Sequence, residues 1–182
     1  MDMNKIVVVF IFSTFLLVSC NNTNNKVDSN NEVSLEDINS LEAELFNANM
    51  TTPNLEKAKQ LADMYVAYAD QNPNDSIAPD FLFKGADINM NISSPQTTIA
   101  LFDNIISLYP GYKNIPTIMF LKGFVYEDQL NDYENARKCY EEFLEKYPDS
   151  DFADDALVSL NNLGKSPEEL IKEFEKQNNE NK

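Results

Sequence analysis

The sequence contains no histidine and no tryptophan, only four glycines and two cysteines, and 14 basic residues against 30 acidic ones. Each shortage removes a class of function. Without histidine a cysteine nucleophile lacks its usual general base, and zinc lacks its commonest nitrogen ligand. The glycines, Gly85, Gly111, Gly123 and Gly164, stand far apart, so no loop can cradle a phosphate with consecutive backbone N–H groups. A net charge of −16 argues against nucleic acid, whose phosphates need clustered Lys and Arg. The same acidity means that membrane attachment has to come from a lipid, because anionic headgroups repel such a surface. No alternating apolar and polar strand pattern is present, which leaves an all-α chain.

What is present is a repeat. Lys84-Gly85 recurs as Lys122-Gly123, and Tyr109-Pro110 as Tyr147-Pro148, each after 38 residues (122 − 84 = 148 − 110 = 38). A fixed period of that length marks a helical solenoid. In the unit from Asn114 to Pro148, Ala136, Tyr140, Phe143, Leu144 and Tyr147 fall at i, i+4, i+7, i+8 and i+11, one apolar stripe of a helix. Ile115, Met119, Phe120, Gly123, Phe124 and Tyr126 belong to the helix before it, where Gly123 allows close approach by a neighbour. Asp132 is the expected N-cap between the two, and Pro148 ends the second.

Gly123, Tyr126, Tyr133, Ala136, Tyr140, Phe143 and Pro148 resemble, in order and nearly in spacing, the small, aromatic, alanine and proline positions of the tetratricopeptide repeat. Two departures are an insertion of about one residue near Leu130 and Asn131, and Lys122 where that family usually has leucine. The resemblance implies a right-handed solenoid of helical hairpins, about three and a half to four repeats over residues 34–176, with the first helices lining a groove for a peptide or a partner's helix. Candidate partner-binding residues on those helices are Asp80, Lys84, Asp87, Asn91, Lys122, Glu127 and Asn161. Lys84 and Lys122 stand out as bases recurring beside glycine in an acidic chain. They are expected either to form a positive strip reading acidic or carbonyl groups, or simply to lay their stems along the core edge.

The other hairpins follow the same pattern. Ser34-Leu35-Glu36-Asp37 is a helix start, followed by Ile38, Leu41 and Leu45; Thr51-Thr52-Pro53 breaks that helix, and Leu55 to Ala69 forms the next, ended by Pro73. Helices over about 77–92 and 96–109 make the second pair, with Phe81, Phe83, Gly85, Ile88, Ile99, Phe102, Ile105 and Ile106 as their apolar set. After Pro148 come a short helix carrying Ala156, Leu157 and Leu160, a last one starting at Ser166, and a frayed tail over 177–182. This truncated repeat suits a polar solenoid end.

Upstream of the repeats, Ile6 to Val18 is almost wholly apolar, follows Lys5, and ends in Leu17-Val18-Ser19-Cys20. It is shorter than the roughly 20 residues that span a bilayer and reads as a signal peptide, residues 1–19. Its ending resembles the bacterial lipobox, which implies acylation of Cys20 and a mature N-terminus there. Residues 20–33, rich in asparagine, read as the lipidated cysteine and a disordered tether. By resemblance to enterobacterial sorting, Asn21 in place of aspartate directs the lipoprotein to the outer membrane, its periplasmic face favoured.

Chemistry elsewhere reads as structural. Cys139, left without a partner if Cys20 is lipidated, is a small core residue. Asp149, Asp151, Asp154 and Asp155 invite calcium, but an EF-hand loop counted from Asp149 has Asp154 and Leu160 where glycine and glutamate are required. Acids at a helix start fit the macrodipole instead. The expectation is therefore a non-enzymatic, cofactor-free and metal-free scaffold for envelope protein complexes, in broad plan similar to tetratricopeptide lipoproteins of outer-membrane assembly machineries. The alternative is a lipoprotein that binds glycans or peptides for an outer-membrane transporter. The larger starch-utilisation lipoproteins do this by stacking sugars on aromatics, especially the tryptophan this chain lacks.

Overall fold

Proline punctuates the fold. Pro73, Pro110 and Pro148 each follow a helix whose closing N–H bonds back four residues, from Asn72 to Tyr68, Tyr109 to Ile105 and Tyr147 to Phe143 at 2.8–2.9 Å. Because proline has no N–H and restricts the residue before it, the chain must turn there. In the computed structural model, which describes residues 32–47 and 54–180, the result is eight α-helices: α1 Leu35–Asn47, α2 Leu55–Gln71, α3 Ala78–Asn91, α4 Pro95–Leu108, α5 Ile115–Phe124, α6 Tyr133–Lys146, α7 Ala153–Asn162 and α8 Pro167–Glu180. A π-helical turn, Val125–Gln129, extends α5. The signal peptide, Cys20, the tether up to Asn31 and the break at Thr51–Pro53 lie outside the described residues.

Caps set the helix starts. Ser34 and Asp37 satisfy one another's backbone N–H groups at 3.2 Å, Asn54 accepts from Lys57 N–H at 3.0 Å, and Asp132 accepts from Asn135 N–H at 3.1 Å, as its place in the sequence predicts. The bonds to Asn135, first from its side chain and then from its backbone, hold the Asp132 carboxyl below its ordinary pKa. Pro79 and Pro116 stand second in α3 and α5, where their missing N–H costs nothing.

From α1 to α7 each helix packs on the next in the chain, so that α1–α2, α3–α4 and α5–α6 form hairpins stacked as a helical-hairpin solenoid. Adjacent residues of the first helices face opposite ways to hold the stack together. Phe81 packs back on Tyr65 and Tyr68, ring centroids 5.0 and 5.1 Å away, while Leu82 joins the forward core with Phe102 and Ile105. Tyr140 and Phe143 are fully buried. Phe120 lies against both of their rings and stacks on Phe152 at 4.9 Å, joining the third hairpin to α7.

The inserted residue is taken up by the π turn. In the second hairpin α3 ends in a left-handed Ser93, closed by Ser94 N–H to Asn89 O, five residues back, and Ser93 N–H to Met90 O. In the third, Asn131 is left-handed, and Asp132 N–H reaches six residues back to Tyr126 O while Leu130 N–H bonds to Val125 O. From the helix-start proline to the left-handed residue the chain has one residue more in the third hairpin (131 − 116 = 15 against 93 − 79 = 14). One wide turn accommodates it without breaking the hairpin. Gln129, carried on that turn, donates to Met90 O at 3.0 Å and so braces α5 against the end of α3.

Asp154 and Asp155 sit in the first turn of α7, the position a helix dipole favours. Residues 177–180, assigned from sequence to the tail, continue α8. That helix opens with a reciprocal cap between Ser166 and Glu169, but it does not lie along α7 as α2, α4 and α6 lie along their partners.

Candidate functional site

The first helices present a stripe that packing leaves bare. Asp80, Lys84, Asp87 and Asn91 fall at i, i+4, i+7 and i+11 on α3, none of them buried. Lys84 shows which way the stripe looks. Its ammonium donates to Glu42 of α1 at 2.9 Å and lies 5.2 Å from the Tyr65 ring centroid and 5.5 Å from that of Phe81. The stripe therefore shares a face with the first helix of the preceding hairpin. Tyr65 donates to the same carboxylate, and this bond, ahead of the lysine, lowers the Glu42 pKa against the opposing effect of burial. Lys84 is thus part of a Tyr65–Glu42–Lys84 cluster.

Asp80 lies at the end of the stripe, accepting from Tyr112 O–H at 2.6 Å. Burial, then that carboxylate, pushes the phenol pKa up, so Tyr112 stays a donor across the physiological range. Asn91 donates to the backbone oxygen of Asp87 at 2.8 Å and to its carboxylate at 3.3 Å, and both residues remain exposed.

Lys122 and Glu127 do not continue this stripe. Lys122 is largely covered and donates to Asp103 of α4. Burial acts to lower its pKa, but the Asp103 contact outweighs it and the net shift is upward. Glu127 accepts from Tyr140 O–H at 2.7 Å inside the third hairpin. The shared register inferred from the 38-residue recurrence does not exist in three dimensions. Counted from the helix-start prolines, Lys84 lies five residues along and Lys122 six, so their directions differ by about 100°. The glycines show the same slip. A Cβ on Gly85 would meet Ala62 O and Val66 of α2 at 3.3 Å, whereas one on Gly123 would meet the Tyr140 ring of α6 at 2.6 Å.

Measured from the prolines, 37 residues apart (116 − 79), the counterparts of Asp80, Lys84, Asp87 and Asn91 on α5 and its π turn are Thr117, Leu121, Phe124 and Asp128. All four are at least partly exposed, and Phe124 keeps 38 % of its surface. These residues escaped the sequence reading because the Lys-Gly pair was taken to set the register; the proline spacing carried the correct signal. Asn161 is exposed on α7.

At the edge of the stripe, equivalent crevices recur at successive hairpin junctions, about 500 Å³ beside Pro79, Asp80, Tyr109 and Tyr112, and about 520 Å³ beside Pro116, Thr117, Tyr147 and Phe152. Cys139 is half-buried, and burial pushes its thiol pKa up against the opposing field of Lys122, which keeps it protonated and unreactive.

A face of this kind, mixed in charge with an apolar centre at Leu121 and Phe124, suits contact with another polypeptide better than bond-making chemistry. No curated protein matches the chain. Residues 118–150, from the middle of α5 through α6, match the family model of the tetratricopeptide repeat, so the third hairpin of this solenoid is a repeat of the type used for protein–protein interaction.

Proposed function

We propose that the protein is a lipid-anchored interaction scaffold of the bacterial envelope, assisting an outer-membrane complex from the periplasmic face, and that it is a binding protein rather than an enzyme. The observation that carries the binding role is the uncovered stripe on α3 and α5, where Phe124 is exposed on a helix whose other aromatics are packed. An exposed aromatic with an exposed carboxylate four residues on, here Asp128, is a preferred anchor for a partner segment bearing an apolar side chain with a basic neighbour. The anchoring role is supported by the apolar run Ile6 to Val18 ending at Cys20, with the polar tether carrying the solenoid off the membrane.

Two measurements test this. Metabolic labelling with an alkynyl fatty acid should mark the wild type and not Cys20→Ser, because the thioether and the new N-terminus both require that cysteine; equal labelling would remove the anchor. Crosslinking in membranes should recover the same protein partners with wild type and with an exposed control such as Glu175→Ala. Phe124→Asp should reduce that recovery by roughly tenfold or more, the equivalent of about 1.4 kcal/mol, with an unchanged helical melt. Undiminished recovery would place the contact elsewhere, and a bound oligosaccharide in place of protein would favour the transporter-associated alternative.

A further inference from the structure

The crevice at the start of α3 is built differently from its counterpart at the start of α5. Their volumes are alike, about 500 and 520 Å³, and each pairs a helix-start proline with a tyrosine, Pro79 with Tyr109 and Pro116 with Tyr147. The first adds a carboxylate and a second tyrosine ring, Asp80 and Tyr112, where the second has Thr117 and Ser150 (80 + 37 = 117; 112 + 38 = 150). The acids beside the second crevice, Asp149 and Asp151, stand exposed on its loop.

Hydrogen bonding decides what the first crevice can take. Tyr109 O–H donates to Pro73 O at 3.0 Å and Tyr112 O–H to Asp80 at 2.6 Å, so neither tyrosine has a proton left for a ligand. Asn114 donates to the Tyr112 oxygen at 2.8 Å, and Phe83 stands edge-on to the same ring at 6.5 Å. These contacts fix the ring before any ligand arrives. What stays open is the second oxygen of the half-buried Asp80 carboxylate, which has no bond among the described residues, together with the tyrosine ring faces. Lys113, exposed at the rim, is in none of the ion pairs among those residues. An acceptor flanked by ring faces is a setting for a cation, and a chain of net charge −16 draws one in.

We propose that this crevice binds an arginine side chain of the partner segment. The guanidinium donates to the open Asp80 oxygen and lies against the tyrosine rings, while its methylene stem runs along Pro79. Arginine suits the place better than lysine, because its planar fork stacks on a ring and donates to a carboxylate at the same time. The inference rests on the reading that the first-helix face receives a partner segment, and it names the seat of a basic residue at the opposite end of the stripe from Asp128.

Amide spectra of the 15N-labelled full chain, carrying Cys20→Ser in a non-ionic detergent, test it with two probes. One is N-acetyl-arginine amide, and the other is N-acetyl-citrulline amide, which has nearly the same shape without the charge. The arginine compound should shift the Gly111 and Tyr112 amides saturably. Binding should weaken by roughly fivefold or more for the citrulline compound, and likewise for arginine on Asp80→Asn. Gly111→Phe should abolish it with unchanged helical circular dichroism, because a Cβ there meets nothing within 4 Å, the φ is not positive, and the added ring enters space that belongs to the crevice. No saturable shift, equal binding of the citrulline compound, or binding that survives Gly111→Phe would overturn the proposal. Shifts of the same size at Ser150 and Asp151 would overturn it too, since they would mean a general attraction of cations to an acidic surface. Phe124→Asp should leave arginine binding intact. Arginine binding combined with undiminished partner recovery by Phe124→Asp would fault the anchor at Phe124 and not this crevice, whereas partner recovery that depends on Phe124 without any arginine binding would fault the crevice alone.

Discussion

Replacing Phe143 by alanine should lower stability by about 3–5 kcal/mol. The ring is fully buried on α6 and meets Phe120 of α5 and Tyr147 of its own helix. Because Phe120 in turn stacks on Phe152, the cavity opens at the point where the third hairpin holds α7, and a solenoid transmits such a loss to its neighbours. For a domain of this size the melting temperature should fall on the order of 10 °C. Thermal melts followed by circular dichroism measure it against Glu175→Ala, an exposed substitution on α8; equal shifts for the two would contradict the burial of Phe143.

A comparably large loss, about 3 kcal/mol at the upper end of overpacking effects, is expected for Gly123→Val. In most helix interiors replacing glycine helps, by about 1 kcal/mol for alanine. Here the first added carbon would stand 2.6 and 2.8 Å from two ring carbons of Tyr140. That ring cannot swing aside, because it is fully buried and its hydroxyl is held by Glu127. The cause is testable by a double-mutant cycle. Tyr140→Leu removes the ring and should recover part of the Gly123→Val loss, with a coupling on the order of 1–2 kcal/mol, whereas Tyr140→Phe keeps the ring and should recover none. Additive effects of Gly123→Val and Tyr140→Leu in urea denaturation would show that the close approach is not the origin. Gly111, whose Cβ would meet nothing within 4 Å, provides a tolerant comparison.

Much of the fold was legible because helices are local objects. The stripe of Ala136, Tyr140 and Phe143, the cap at Asp132, the stops at Pro73, Pro110 and Pro148, and the hairpin order all follow from a 3.6-residue period and from residues that cannot continue a helix. The match to the tetratricopeptide repeat covers the unit where those signals are densest. The candidate stripe was legible in part: Asp80, Lys84, Asp87 and Asn91 share one face of α3, while Lys122 and Glu127 turned inward to Asp103 and Tyr140.

The sequence by itself determined where helices begin, which side of each is apolar, and that successive hairpins must stack to cover those sides. Tertiary structure alone decided the register between hairpins. A bond reaching back five residues instead of four takes up one extra residue in the turn Val125–Gln129, so the second helices keep the 38-residue period while the first helices repeat at 37, and Lys122, one residue further from its proline than Lys84, points about 100° away from it. It also decided that Gly85 receives α2 while Gly123 receives the Tyr140 ring, since a missing Cβ permits close approach without choosing the neighbour. The exposure of Leu157 on α7 has the same origin. The apolar residues of α8 announce a helix that must be covered, but whether it packs on its own chain or stands away depends on the path from Leu163 to Ser166, where Gly164 takes a positive φ of 76° and directs the last helix.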